Sequence, residues 1–497
     1  MSSHPRPSSR RIRRFGTATI ALGALGTAAQ AIGNIQKIQN FVTDVIGSKA
    51  FKNLHLALTV VVAAALILAY AGAIYWIYLK LQSRDIRIRI AVMALALVLL
   101  SGLAAGSYAL IPPPPDPDAY RAEKAKEWRD RLLAHPAESG GVMVSFAEAQ
   151  APTQVWTTAQ ALRAVLVSSV DADLKRFAAR IRKAFDFIQD NQIKAAPGGW
   201  GYFQEWQTGV TEIAGWVCVA ETASVDATRR DIVWTPEQVP QIFNRITHVV
   251  QLIVSTQQYD GGWGPTAQRG AGLSRTYSTA LATWCLLEAH RTGGTPLIPD
   301  STYDRAITDG INWLLTNYQQ SLGWVPNPYR KNQNERFLGL TAQVLYVLGQ
   351  AQASEHFKSA ATLPNALLAK KEFLAAPDFE KRSLVNNDRL HDGDRYLRIV
   401  SPAVSTPASC ACPPFTLEAS TFLWYPWSLA AARSLMSDQT IEASQRAIAA
   451  NLSKALTARL SEASQLIDTG FNYIVAEFLI GASERPQQNV LAERGKT

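Results

Sequence analysis

The stretch Gln258-Tyr259-Asp260-Gly261-Gly262-Trp263 decides the fold, because the chain repeats its pattern on either side. An earlier copy runs from Gln192 through Ile193-Lys194-Ala195-Ala196-Pro197-Gly198-Gly199 to Trp200, and a later one reads Gln320-Ser321-Leu322-Gly323-Trp324. The three tryptophans thus recur about every sixty residues, the self-similarity of a repeat-built fold. Each copy closes a run with one apolar face: Leu174, Phe177, Ile181, Phe185 and Ile188 before the first, Ile242, Ile246, Val249, Val250 and Ile253 before the second, Ile307, Ile311, Leu314, Leu315 and Tyr318 before the third. Steps of three and four residues mark helices packed on one side only. Each copy also precedes a run that is apolar nearly all round, Thr211 to Thr222, Tyr277 to His290 and Phe337 to Ala351, and such a helix must be buried on every side.

One-sided helices alternating with all-round helices are satisfied by an inner ring enclosed by an outer ring, closed so that no end is left bare. Outer runs begin near Ala119, Asp173, Pro240, Thr302, Glu355 and Ile441, and inner runs near Thr153, Thr211, Arg275, Arg336, Phe415 and Gly470. The expected fold class is therefore all-α, an α6/α6 toroid over residues 119–486, with a tail over 487–497. Its fifth pair is interrupted by a long, charged and irregular stretch, Ala376 to Pro414.

The part before the toroid has a different composition. Leu56 to Leu79 and Ile90 to Ile111 each run without a charged side chain for more than the roughly 20 residues that cross a bilayer core. Residues 55–111 are expected to form a transmembrane helical hairpin, after a basic segment over 1–54 and before a Pro-rich stalk over 112–118. The formal charge of +9 draws on Arg6, Arg10, Arg11, Arg13 and Arg14, a membrane flank, so no nucleic-acid partner is needed to explain it. Eight basic residues before the hairpin, four in its connector and five after it favour a multi-pass protein of the inner membrane with the toroid on the cytoplasmic side. If Thr17 to Gly33 also spans, or is cleaved, the toroid faces outward. Cys218 and Cys285 lie in apolar helical runs, where a thiol ordinarily packs, and the four cysteines make no disulfide framework.

Gln, a short spacer, Gly and Trp at the end of an outer helix resemble the QW motifs of squalene and oxidosqualene cyclases, and related turns occur in protein prenyltransferase β subunits. The resemblance covers Ala119 to about Pro486. It implies the toroid fold and an isoprenoid lipid as substrate or ligand, taken from the membrane. Trp200, Trp263 and Trp324 are expected to be structural pins, the Gln amide bonding helix-terminal backbone groups while Gly permits the turn. The acidic D-x-D-D motif of the cyclases has its nearest text in Asp392-Gly393-Asp394-Arg395, with Arg in fourth place. The D-x-C zinc motif of the prenyltransferases does not occur, and Cys410-Ala411-Cys412 with His391 and Asp392 lacks a second clear pair, so neither metal nor cofactor is expected.

Inner helices would converge on a central cavity with their N-terminal ends at one mouth. Glu212, Asp394 and Glu418 are the candidate acids. Trp156, Trp216, Arg275, Tyr277, Arg336, Trp424 and Tyr473 are the candidate ligand contacts, the arginines suited to a diphosphate and the aromatics, with Trp284, Tyr425 and Trp427, to a polyene or carbocation. Against these stand helix-dipole pairing for the charges and plain core packing for the rings. Three functions compete: isoprenoid cyclisation or transfer, a non-catalytic toroid that binds a lipid or partner protein at the membrane, and glycoside hydrolysis. The last would need Glu212 paired with Glu418 or Asp394 across the cavity, and the QW-like turns speak against it.

Overall fold

The computed structural model describes residues 117–134, 139–143, 153–196, 198–201, 208–270, 273–292, 301–329, 336–376, 379, 424–460 and 472–483. The expected spans, the weak stretch Thr17 to Gly33, most of the stalk, Asp394, Glu418, the C-x-C pair and the tail lie outside them. The chain divides into two units, 1–115 and 116–497, and the described residues belong to the second. Among them no helix is long and apolar enough to cross a membrane.

Thirteen α-helices are described. The outer-layer helices are α1 (Pro117–Ala134), α3 (Asp171–Asp190), α6 (Val239–Thr256), α8 (Ser301–Thr316), α10 (Pro364–Leu374) and α12 (Ala443–Ala458). The inner ones are α2 (Val155–Ser168), α4 (Thr211–Ser224), α7 (Thr276–Thr292), α9 (Leu338–Gln352), α11 (Trp424–Met436) and α13 (Asn472–Ser483), while α5 (Arg230–Val233) is a single turn between layers. Every residue of α4 is buried, whereas α6 buries Ile242, Ile246, Val249, Val250, Leu252, Ile253 and Thr256 along one stripe. That contrast is the sequence pattern made physical.

The ring closes. In order, α2 packs on α4, α4 on α7, α7 on α9, α9 on α11, α11 on α13, and α13 returns to α2. Matching depths show that the inner helices run parallel: Trp156 near the start of α2 stacks on Tyr473 near the start of α13 at 5.2 Å, and further along Arg433 of α11 donates to the carbonyls of Gly481 and Ala482 on α13.

The three tryptophans are pins of one design. Trp200, Trp263 and Trp324 donate their indole N–H groups to the carbonyls of Ile188, Ile253 and Leu314, at 2.7, 2.7 and 2.6 Å, each in the last turn of the preceding outer helix. The last carbonyls of a helix lack a backbone donor and a buried indole N–H needs an acceptor, so each satisfies the other, the Ile253 carbonyl also accepting from the Thr256 hydroxyl at 3.1 Å. The Gln258 amide reaches the carbonyl of Thr256, the last residue of α6, at 3.2 Å. Below two of the pins a threonine in the first turn of the next inner helix accepts the tryptophan backbone N–H: Thr279 for Trp263 and Thr341 for Trp324. Gly323 sits at φ 80°, and a Cβ there would overlap the Thr341 hydroxyl. Gly323→Ala is expected to lower folding stability by about 1–3 kcal/mol, read as a shift of the urea midpoint.

Two expectations are corrected. Cys218 on α4 and Cys285 on α7 do not pack as thiols but form a disulfide, with their Cα atoms 5.5 Å apart. The parallel inner helices bring both to one depth. The fifth outer helix begins not near Glu355 but at Pro364, after a turn and a short 3-10 segment, Ala360–Thr362; Pro364 fits a first helical position, where no N–H is needed.

Candidate functional site

The interior of the inner ring is built in three levels. At mid-depth Trp216 of α4, Trp284 of α7, Tyr346 of α9 and Trp427 of α11 form one aromatic layer, with ring centroids 5.3 to 6.4 Å apart. Helices α4 and α11 are opposite members of the six-helix ring, so the 6.4 Å contact between Trp216 and Trp427 spans the axis. The axis is therefore filled with side chains at this level, not hollow.

Toward the C-terminal ends lies an ionic level. Arg163 of α2 donates to Glu288 of α7 at 3.1 Å, with its guanidinium 5.1 Å from the centre of the Trp284 ring. Arg291 meets the other oxygen of Glu288 and reaches Asp226. Burial alone would raise the Glu288 pKa, but Arg163 and Arg291 outweigh it and hold the carboxyl far below the usual range.

Toward the N-terminal ends the lining is polar, and here the candidate acid Glu212 lies with Tyr277 and Glu477. Glu477 of α13 accepts from the Trp427 indole at 3.0 Å and from the Gln160 amide of α2 at 3.3 Å. Trp216 donates to the Tyr277 hydroxyl at 2.9 Å. Burial pushes the Tyr277 phenol well above its ordinary value, and the carboxyls of Glu212 and Glu477 add to this where they are ionised. Burial drives the Glu477 carboxyl up to about 8, with the two hydrogen bonds opposing, so it is protonated at neutral pH. One turn toward the mouth, on the same helix faces as Gln160 and Glu477, stand the stacked rings of Trp156 and Tyr473. The amide oxygen of Gln160 and both amide atoms of Gln343, three residues before Tyr346 on α9, are buried without a hydrogen-bond partner.

The structure thus brings Glu212, Tyr277, Trp216, Trp156 and Tyr473 to one region. Arg275 instead donates to the Asn327 side chain at 3.0 Å, and Arg336 to the carbonyl of Glu372 on α10 at 3.3 Å. Trp424 packs beside Tyr425 and Phe379. Glu477 was missed by the sequence reading; its signal was a lone acid in the otherwise apolar run of α13. Among the described residues no group of three His, Cys, Asp or Glu side chains could hold a metal ion.

No protein-family model matches the sequence, and no curated protein matches it. Among solved structures, the chain is similar to an α-1,6-mannanase of family 76 from Salegentibacter sp., with 8% identity over 73% of this chain and 98% of that one and a TM-score of 0.46. It is also similar to a family 76 α-mannanase of Bacteroides thetaiotaomicron, with 10% identity over 74% and 95% and a TM-score of 0.45. A third is the cellobiose 2-epimerase of Bacillus thermoamylovorans, with 9% identity over 67% and 86% and a TM-score of 0.41. At these identities nothing of their chemistry passes to this chain.

Proposed function

We propose that the toroid binds a neutral, hydroxyl-rich ligand of saccharide class at the N-terminal mouth of its inner ring and cleaves it by acid–base chemistry. The observation that carries this reading is the pairing of a protonated Glu477 with Glu212 around Tyr277. Two carboxyl groups facing one region, one of them holding its proton, are what hydrolysis of a glycosidic bond requires. Glu477 gives its proton to the leaving oxygen as the C–O bond breaks, and Glu212 takes a proton from the water that attacks the carbon. Amide groups of Gln160 and Gln343 suit hydroxyls, and the stacked pair Trp156 and Tyr473 suits a sugar face.

The aromatic layer supports a second reading. Trp216, Trp284, Tyr346 and Trp427 are surfaces on which an isoprenoid chain from the membrane could lodge, as the turn motifs suggested, with the toroid acting on that lipid or only holding it for a partner protein. Because that layer crosses the axis, a polyene would have only the outer part of the mouth to occupy.

The test is Glu477→Gln, which keeps shape and removes the transferable proton. With a panel of oligosaccharides and a reducing-end assay, kcat should fall about 100-fold or more while binding persists. Wild-type activity needs the acid form of Glu477, so it should decline as pH rises through about 8. Absence of turnover on every glycan, with an isoprenoid lipid found in the extract of the purified protein, would replace the first reading by the second.

A further inference from the structure

The bond between Cys218 and Cys285 speaks about where the toroid is made, independently of what it binds. Both residues are fully buried, on neighbouring inner helices, with Cα atoms at a distance that a disulfide bridges without backbone movement. Trp216 lies two residues before Cys218, and Trp284 is adjacent to Cys285. The bond therefore ties together the two helices that carry Glu212, Tyr277 and half of the axial aromatic layer.

We infer that the toroid folds on the oxidising, outer side of the membrane, where oxidation of Cys218 and Cys285 fixes the α4–α7 wall of the site. A sulfur pair shielded from solvent by the finished fold is out of reach of any oxidant, so the bond must form while α4 and α7 come together. The thiolate of one cysteine attacks a disulfide donor to give a mixed disulfide, and the thiolate of the other displaces the donor. The donor, a dithiol–disulfide oxidoreductase in its oxidised form, leaves as the dithiol with the two electrons and the two protons. Cytoplasmic thiol reductants hold such pairs reduced, whereas secreted and periplasmic chains meet such a donor. Of the two membrane paths that the flanking charges allow, this selects the one in which Thr17 to Gly33 crosses the membrane or is removed.

A thiol count on the full chain decides the matter without reference to turnover, so it succeeds or fails separately from the saccharide reading. In a Cys410→Ser, Cys412→Ser background, membranes from the native host are quenched in acid, denatured and treated with a polyethylene-glycol maleimide. The expected result is no addition before reduction and two after it. Cys285→Ser in the same background should take one addition without reduction, and because labelling is done in denaturant the count holds whether or not that variant folds. An affinity tag at the C-terminus should be open to protease in intact cells from which any outer envelope has been stripped. Two additions to the unreduced background protein would overturn the inference, as would a tag cleaved only after the membrane is permeabilised.

Discussion

Arg163→Ala is expected to remove about 3–5 kcal/mol of folding stability, because it leaves a buried carboxylate without its buried cation. The Arg163 and Glu288 side chains are 3% and 1% exposed, and the guanidinium also donates to the carbonyl of Val219 at 3.2 Å. After the substitution Glu288 keeps Arg291 and the Trp284 indole, but Arg291 stands at the edge of the domain, 39% exposed, where water screens it. The pH dependence has a definite sign. The folded-state pKa of Glu288 lies below its unfolded value, so the pair stabilises fully above the unfolded carboxylate pKa and loses that contribution as pH falls toward the folded one. The gap between wild type and variant in urea midpoint should hold at pH 7 and narrow below about pH 4. Glu288→Gln added to Arg163→Ala should recover part of the loss, since it deletes the stranded charge. A single variant within about 1 kcal/mol of wild type would mean that the ionic level does not hold the ring together.

The toroid was legible because burial leaves a periodic trace. The all-round run from Thr211 begins where α4 begins, and the runs placed at Arg275, Arg336 and Gly470 begin within two residues of α7, α9 and α13. One repeat escaped. Glu138-Ser139-Gly140-Gly141-Val142 lacks both Gln and Trp, yet Gly140 has a φ of 90° and the Val142 N–H donates to Thr158 in the first turn of α2 at 2.9 Å. This is the bond that Thr279 and Thr341 make, so a threonine near the start of each of these inner helices was the signal to read. The site was less legible, since its partners come from helices far apart in sequence. Glu477 meets Gln160 across 317 residues and Glu288 meets Arg163 across 125. Whether a buried acid stays neutral or pairs with an arginine depends on the rotation of two helices about their own axes, which apolar periodicity does not specify once a helix is apolar on every side. The same rotation decides whether Cys218 finds Cys285.

Trp427 belongs both to the aromatic layer and to the surroundings of Glu477, and its replacement separates packing from proton chemistry. Trp427→Ala removes a ring that touches Trp216, Trp284 and Tyr346 at the centre of the ring of helices. The opening sits on the axis, walled by parallel inner helices that cannot close on it without moving all six, so little of it can collapse. A loss of about 3–5 kcal/mol is expected, measured by thermal or urea unfolding. Trp427→Phe keeps most of the packing and deletes one hydrogen bond to Glu477. That bond opposes the effect of burial on the carboxyl, so losing it moves the Glu477 pKa further up from about 8. The alkaline decline of activity should then shift to higher pH in the phenylalanine variant, with ligand affinity little changed below pH 7. A purely structural tryptophan would lower the yield of folded protein and leave the pH profile in place. An unmoved decline would therefore mean that Glu477 is not the titrating acid, and the proton donor would have to be sought elsewhere in the mouth.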